Sequence, residues 1–252
     1  MKERTMKPIR LHSVILIFVA TLIPILIGVY IVLPVLVTHG FPFLVGYLIC
    51  FQTVPFAFIL VLALVLYKQE GNPFLWNRFR DRMRINVSGK VVFFGVVLLV
   101  ASLVAYRFLE PVTKQLARIP MFSPPDWLAP DIHPLKVGQP GSYMGIPIAG
   151  HYWVPIVWFI GWFLNIAGEE LLFRGYLMPR MELSFAQYAW IINGCCWWVW
   201  HCFWRWQLVA ILPVAFLLPF VAQKSKSTVP GMIAHGLMNL IGVVIVTLLV
   251  FR

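Results

Sequence analysis

Charge is scarce in this chain. Asp, Glu, Lys and Arg make up 12% of its 252 residues while hydrophobic residues make up 61%, whereas an ordinary soluble domain carries roughly 25% charged residues. With a mean hydropathy of +0.85, the composition excludes a soluble globular domain and reads as an integral membrane protein. Acidic residues are scarcer still, nine against 20 Lys and Arg, for a net charge of +11. The basic excess sits mostly in short connections between apolar runs and forms no stripe on a soluble module. Nucleic acid is therefore not the expected partner, and the pattern is a topology signal. Cysteine is sparse as well. Cys50, Cys195, Cys196 and Cys202 all fall within apolar runs, where their spacing matches no usual ligand set and no disulfide or thiolate site is expected. There is no internal repeat and no low-complexity tract.

What is present is a series of long apolar segments. At roughly 20 residues per span, the chain has room for about seven, and it reads as an all-α, polytopic transmembrane helix bundle. The basic stretch MKERTMKPIR precedes a first span at 12–37, too long an apolar run for a signal-peptide core. Further spans are expected at 43–67, 90–109, 151–180, 185–204, 207–222 and 229–250. Between the second and third lies KQEGNPFLWNRFRDRMRINVSGK, a basic loop with room for a short amphipathic surface helix. Eight prolines between Pro111 and Pro147 argue against a long helix there. The chain thus divides into residues 1–110 with three spans, a Pro-rich outer loop at 111–150, and the remaining helices at 151–252. Under this scheme 13 Lys and Arg lie on one side and six on the other. The positive-inside rule then places the N-terminus in the cytoplasm. Trp197, Trp198, Trp200, Trp204 and Trp206 crowd one end of the fifth segment, as in an interfacial aromatic belt.

Within the predicted spans only two acidic residues occur, Glu169 and Glu170, in GEELLFRGYL with Arg174. A carboxylate near the bilayer centre costs on the order of 2.5 to 3.5 kcal/mol on insertion scales, so two adjacent ones require a reason. Residues four apart share a helix face, which pairs Glu170 with Arg174. Glu169 then points elsewhere without a local cation and is the carboxylate suited to act as a general base. A purely structural ion network is the competing reading. His201 lies late in the fifth segment, and His235 lies early in the seventh with Asn239 on the same face. Intramembrane polar groups usually face one another or a wet cavity. Depths counted from the basic side at about 1.5 Å per residue run from about 9 Å for His235 to about 24 Å for His201, a spread that does not by itself establish convergence. His12, His39, His133 and His151 sit near termini or loops and are assigned no role.

A carboxylate that takes a proton from water, an imidazole that holds the water or protonates a leaving amine, and a His/Asn pair able to donate to an oxyanion are the parts of amide hydrolysis without a covalent intermediate. The same donors, Glu169, His201 and His235, would also serve a Zn²⁺ ion that activates water. The expected cofactor is therefore either zinc or none.

The order EExxxR (Glu169, Glu170, Arg174), then His201, then HxxxN (His235, Asn239) resembles the CPBP family, which includes the CAAX prenyl endopeptidases of the Ras-converting-enzyme type and the bacterial Abi proteins. The resemblance covers residues 165–245. In the second motif, usually FxxxH, Trp197 takes the place of Phe. The resemblance implies intramembrane proteolysis of a membrane-associated or lipidated protein or peptide. In that scheme Glu169 is the base, His201 its partner, His235 and Asn239 the oxyanion donors, and Glu170 and Arg174 the support. A bacterial plasma membrane protein is the expected setting. The alternatives are a non-catalytic immunity or scaffold protein of the same family and a proton-coupled transporter. The latter lacks the matched interrupted helices such proteins use.

Overall fold

A computed structural model describes residues 6–252. The described chain is about three-quarters helical with almost no sheet. Five helical runs are long and apolar enough to cross a membrane: Leu11–Thr38 (α1), Phe43–Gln69 (α2), Gly89–Leu116 (α4), Trp153–Ser225 and Val229–Val250 (α9). The three separate spans expected between 151 and 222 are not resolved as three, because the 73-residue run Trp153–Ser225 has no extended linker. Within that run, α5 (Trp153–Glu169) passes through a π-helical segment, Glu170–Leu177, into α6 (Met178–Phe185). A turn at Ala186, with φ of 48°, leads to α7 (Ala189–Trp200). A 3-10 stretch, His201–Gln207, bent at Trp204, then leads to α8 (Leu208–Ser225).

The amphipathic helix expected in the basic loop is present as α3 (Trp76–Arg82). Helix α4 runs on to Leu116 through Pro111, beyond the point where that proline was expected to end it. Around this proline Glu110 pairs with Arg107 at 3.5 Å and with Lys114 at 2.9 Å, exposed i,i+3 and i,i+4 contacts along the same helix. The segment that follows contains one small hairpin, β1 (Ser142–Tyr143) with β2 (Ile146–Pro147). Its two central residues, Met144 and Gly145, both have positive φ, as a two-residue hairpin turn of this kind requires.

Small residues allow close helix approach where apolar lipid gives helices little hydrophobic reason to associate. Gly161 and Gly168, on one face of α5, lie against the backbone of α2. A Cβ at these positions would sit 3.0 Å from the Gln52 carbonyl oxygen and 3.1 Å from that of Phe56. Helix α9 packs on α4 and α5, and α8 packs on α7 and α4. The polar segment of α5 is thereby held against α9 on one side and α7 on the other.

The basic residues gather at one end. Arg82 pairs with Glu70 at 2.7 Å, and Glu182 receives both Arg84 and Lys226, at 2.7 and 2.6 Å. The Arg180 side chain donates to the Lys7 carbonyl at 3.0 Å. The Pro-rich segment occupies the opposite end.

Candidate active site

Glu169 and Glu170 are both buried, as is Arg174. The helical expectation for this pair holds: Arg174 reaches Glu170 at 3.4 Å, while Glu169 faces away from it toward a different set of partners. Asn165, one turn earlier on α5, donates from Nδ2 to Glu169 Oε1 at 2.7 Å. Trp197 Nε1–H, from α7, donates to the other oxygen, Oε2, also at 2.7 Å.

His235 is buried and donates from Nδ1 to Glu170 Oε1 at 3.0 Å. Asn239, on the same face of α9 as expected, lies with Nδ2 3.2 Å from His235 Nε2 and donates to Asn165 Oδ1 at 2.9 Å. With Nδ1 carrying the proton, His235 Nε2 is the acceptor. Arg174 closes the circuit, its guanidinium 4.6 Å from the centre of the Trp197 ring in a cation–π contact. Seven side chains from three helices therefore form a closed ring: Glu170, His235, Asn239, Asn165, Glu169, Trp197 and Arg174. His201 stands beside this ring. Its Nδ1–H donates to the Trp197 carbonyl at 2.8 Å, which leaves Nε2 as the acceptor, and its ring lies 4.1 Å from that of Trp197.

Glu169, His201, His235 and Asn239 all line one cavity of about 460 Å³. Despite their uneven depths along the chain, the candidate residues are thus brought together. Glu170 and Arg174 are not among the lining residues and lie behind the others. The rest of the wall is largely aromatic, with Tyr47, Phe51, Phe56, Trp158, Trp162 and Phe203 among its members.

Sequence reasoning missed two residues of the ring. Asn165 lies one turn before Glu169, and that i,i+4 spacing is the only signal that marks it. Trp197 was noticed only as an aromatic standing in for Phe, yet its N–H is a hydrogen-bond donor that Phe lacks. The aromatic belt expected of the tryptophan cluster is also corrected. Trp197, Trp200 and Trp206 are buried inside the bundle. Three of the indole N–H groups in the cluster find internal partners, Trp197 donating to Glu169 Oε2, Trp200 to Thr21 Oγ1 and Trp198 to the Leu208 carbonyl, so they need no interface.

A zinc site on Glu169, His201 and His235 does not fit this arrangement. Among the described residues, no three His, Cys, Asp or Glu side chains form a group able to hold one ion. Both nitrogens of His235 already have protein partners, with Nδ1 turned to Glu170 and Nε2 to Asn239.

Residues 151–241 match the family model described as type II CAAX prenyl endopeptidase Rce1-like. This segment resembles the Rce1-like domain. All seven ring residues and His201 fall inside it. The matched family is one of proteases, and the apolar helices around the Rce1-like segment make the chain an integral membrane protein. No curated protein and no solved structure matches the chain.

Proposed function

We propose that the protein is an intramembrane endopeptidase that hydrolyses a peptide bond of a membrane-associated or lipidated protein, with Glu169 activating water. The observation that carries this reading is the shared cavity, lined by Glu169, His201, His235 and Asn239 inside the Rce1-like segment. Each Glu169 oxygen has two acceptor sites and uses one of them on Asn165 or Trp197. One site per oxygen stays available for water.

In the proposed reaction, water attacks the scissile carbonyl carbon while its proton passes to Glu169. The C–N bond then breaks, and the amine leaves with that proton, so peptide and water give acid and amine. His201 holds the attacking water through Nε2, in an orientation fixed by its Nδ1–H bond to the Trp197 carbonyl. Asn239 serves the oxyanion. Both of its amide hydrogens face protein acceptors before substrate binds, so one turns from His235 Nε2 to the developing charge while the other remains on Asn165. His235, with Glu170 and Arg174, positions Asn239 and acts as an acceptor in the resting arrangement. This revises the expectation that His235 itself donates to the oxyanion. No step requires a metal.

Cleavage of a lipidated peptide by purified protein in detergent or proteoliposomes tests the reading. Glu169→Gln and His201→Ala are each expected to lower kcat by about 10² or more, with the helical content unchanged. Turnover at the wild-type rate by either variant would falsify it. The buried Glu170–Arg174–His235 network supports a second reading, a non-catalytic scaffold. Biological function that survives Glu169→Gln but not Arg174→Ala would favour that reading. The charge distribution supports a cytoplasmic N-terminus.

A further inference from the structure

One face of α5 carries Trp158, Trp162, Asn165 and Glu169 at i, i+4, i+7 and i+11, and all four line the cavity that holds the reacting groups. Asn165 and Glu169 belong to the polar ring, whereas the two turns before them are aromatic. The Trp162 N–H is committed, donating to the Gly236 carbonyl at 2.8 Å. Trp158 is 6% exposed, and its indole N–H has no hydrogen-bond partner among the described residues.

The facing wall is α2, which runs beside α5 in the same direction, with Gln52 against Gly161 and Phe56 against Gly168. Its turn Leu48–Thr53 is π-helical and ends two residues before Pro55, whose ring removes the N–H that an α-turn would give to the Phe51 carbonyl. The Thr53 hydroxyl donates across the widened turn to the Leu48 carbonyl at 2.9 Å. Two glycines clamp this turn. A Cβ at Gly28 of α1 would collide with the Cys50 carbonyl oxygen, and one at Gly161 would lie 3.0 Å from that of Gln52. Turns of this kind re-aim the side chains they carry and are frequent at functional sites. Gln52 lines the cavity, and its carboxamide makes no hydrogen bond among the described residues. Neither does the hydroxyl of Tyr47, which is 6% exposed and whose ring lies 6.0 Å from that of Trp158. None of these three polar groups is sealed from solvent, so each is open to the cavity it lines.

A peptide bond is exposed to attack in an extended chain, because a helix keeps its carbonyls bonded and wrapped. An extended chain drawn into an apolar cavity loses water from every N–H and C=O and has no internal partner for them, so the wall must supply one. Gln52 offers a donor and an acceptor, the complement of one peptide unit, while the Tyr47 hydroxyl serves as either and the Trp158 N–H donates. Along α5 the level of Gly161 and Gln52 lies about 12 Å from Glu169, and that of Trp158 about 16 Å. At about 3.3 Å per residue of extended chain, these levels are about four and five residues from the scissile bond.

We propose that Gln52, Trp158 and Tyr47 form a main-chain binding site for the fourth and fifth substrate residues on one side of the cleaved bond, so that the protein selects an extended, uncharged stretch of peptide of at least that length. The assignment rests on the hydrolase reading for the position of the cleaved bond, but binding can be measured without turnover.

The test uses purified full-length protein and an N-acylated dodecapeptide of Leu and Ala, its cleaved bond mapped by mass spectrometry and its chain then cut back from either end. Trimming one side to three residues is expected to lower kcat/KM about tenfold, the scale of one or two lost hydrogen bonds. Replacing the fourth or fifth amide on that side by an ester, which removes one N–H and keeps the side chains, is expected to cost about fivefold. Gln52→Ala is expected to lower kcat/KM about fivefold or more for the full peptide, mostly through KM, and to leave the trimmed peptide within about twofold. Tyr47→Phe and Trp158→Phe keep their rings and are expected to act in the same direction. Equal losses on full and trimmed peptides would make these residues packing groups and overturn the site, as would cleavage indifferent to length on both sides. The second measurement is fluorescence anisotropy of the labelled dodecapeptide with Glu169→Gln protein, in which added Gln52→Ala is expected to weaken binding about fivefold. Unchanged affinity overturns the site. Binding that depends on both peptide length and Gln52, without cleavage by the wild type, supports the site and overturns the hydrolase reading alone.

Discussion

Glu169 depends on two neutral donors for its orientation, and the two are not equivalent. Asn165 is held by Asn239, whereas Trp197 reaches Glu169 from another helix and is also covered by the Arg174 cation. A hydrogen bond to a charged group contributes about 1.5–3 kcal/mol. Trp197→Phe, which supplies the residue usual at that motif position, removes the bond and keeps the aromatic contact. It is expected to lower kcat about tenfold or more, with KM and the thermal midpoint little changed. A rise in KM and a fall in stability without loss of kcat would make Trp197 a packing residue. The partition between Glu169 and the Glu170–Arg174 pair was legible in sequence because it follows from one helix and its 3.6-residue turn. The ring was not, because its links cross between α5, α7 and α9, and no spacing within a single segment encodes the distance from Trp197 to Glu169.

At the scale of elements, hydropathy located the helices and missed several of their ends. The turn at Ala186 is held from α8, where Gln223 donates to the Ala186 carbonyl at 3.0 Å and accepts from the Trp190 amide at 2.8 Å. An alanine at positive φ carries no turn signal of its own, so the break was invisible without that partner. The contact between α9 and the π-helical segment is equally tertiary. A Cβ at Gly231 would collide with Glu170 Oε2, and Glu170 is already fixed by His235 and Arg174. Gly231→Ala is therefore expected to cost about 1–3 kcal/mol by overpacking, read as a lower unfolding midpoint in detergent. Gly236→Ala on the same helix meets its nearest neighbours at 3.7 Å and is expected to be tolerated. Equal loss in the two variants would show that a general intolerance of added bulk along α9, rather than the carboxylate, sets the requirement at Gly231.

The whole molecule has two chemically distinct ends, and stability and catalysis are expected to separate between them. The basic end is joined by ion pairs that cross between segments distant in sequence: Arg84 from the α2–α4 loop, Glu182 from α6 and Lys226 from the turn before α9. Arg84 and Glu182 are mostly buried, at 20% and 11% side-chain exposure, while Lys226 is exposed at 60%. Their contribution should fall between that of a surface pair, about 0–1 kcal/mol, and the loss of one partner from a buried pair, about 3–5 kcal/mol. Glu182→Ala leaves Arg84 without its carboxylate and is expected to lower the unfolding midpoint, by more at low salt than at high salt. Glu182 does not line the reacting cavity, so kcat/KM for peptide cleavage should remain within about twofold of wild type, about 0.4 kcal/mol in barrier, at temperatures where the variant is folded. A parallel loss of cleavage would mean that the basic end positions Glu169 through the π-helical segment, and the two ends would then have to be treated as one mechanical unit.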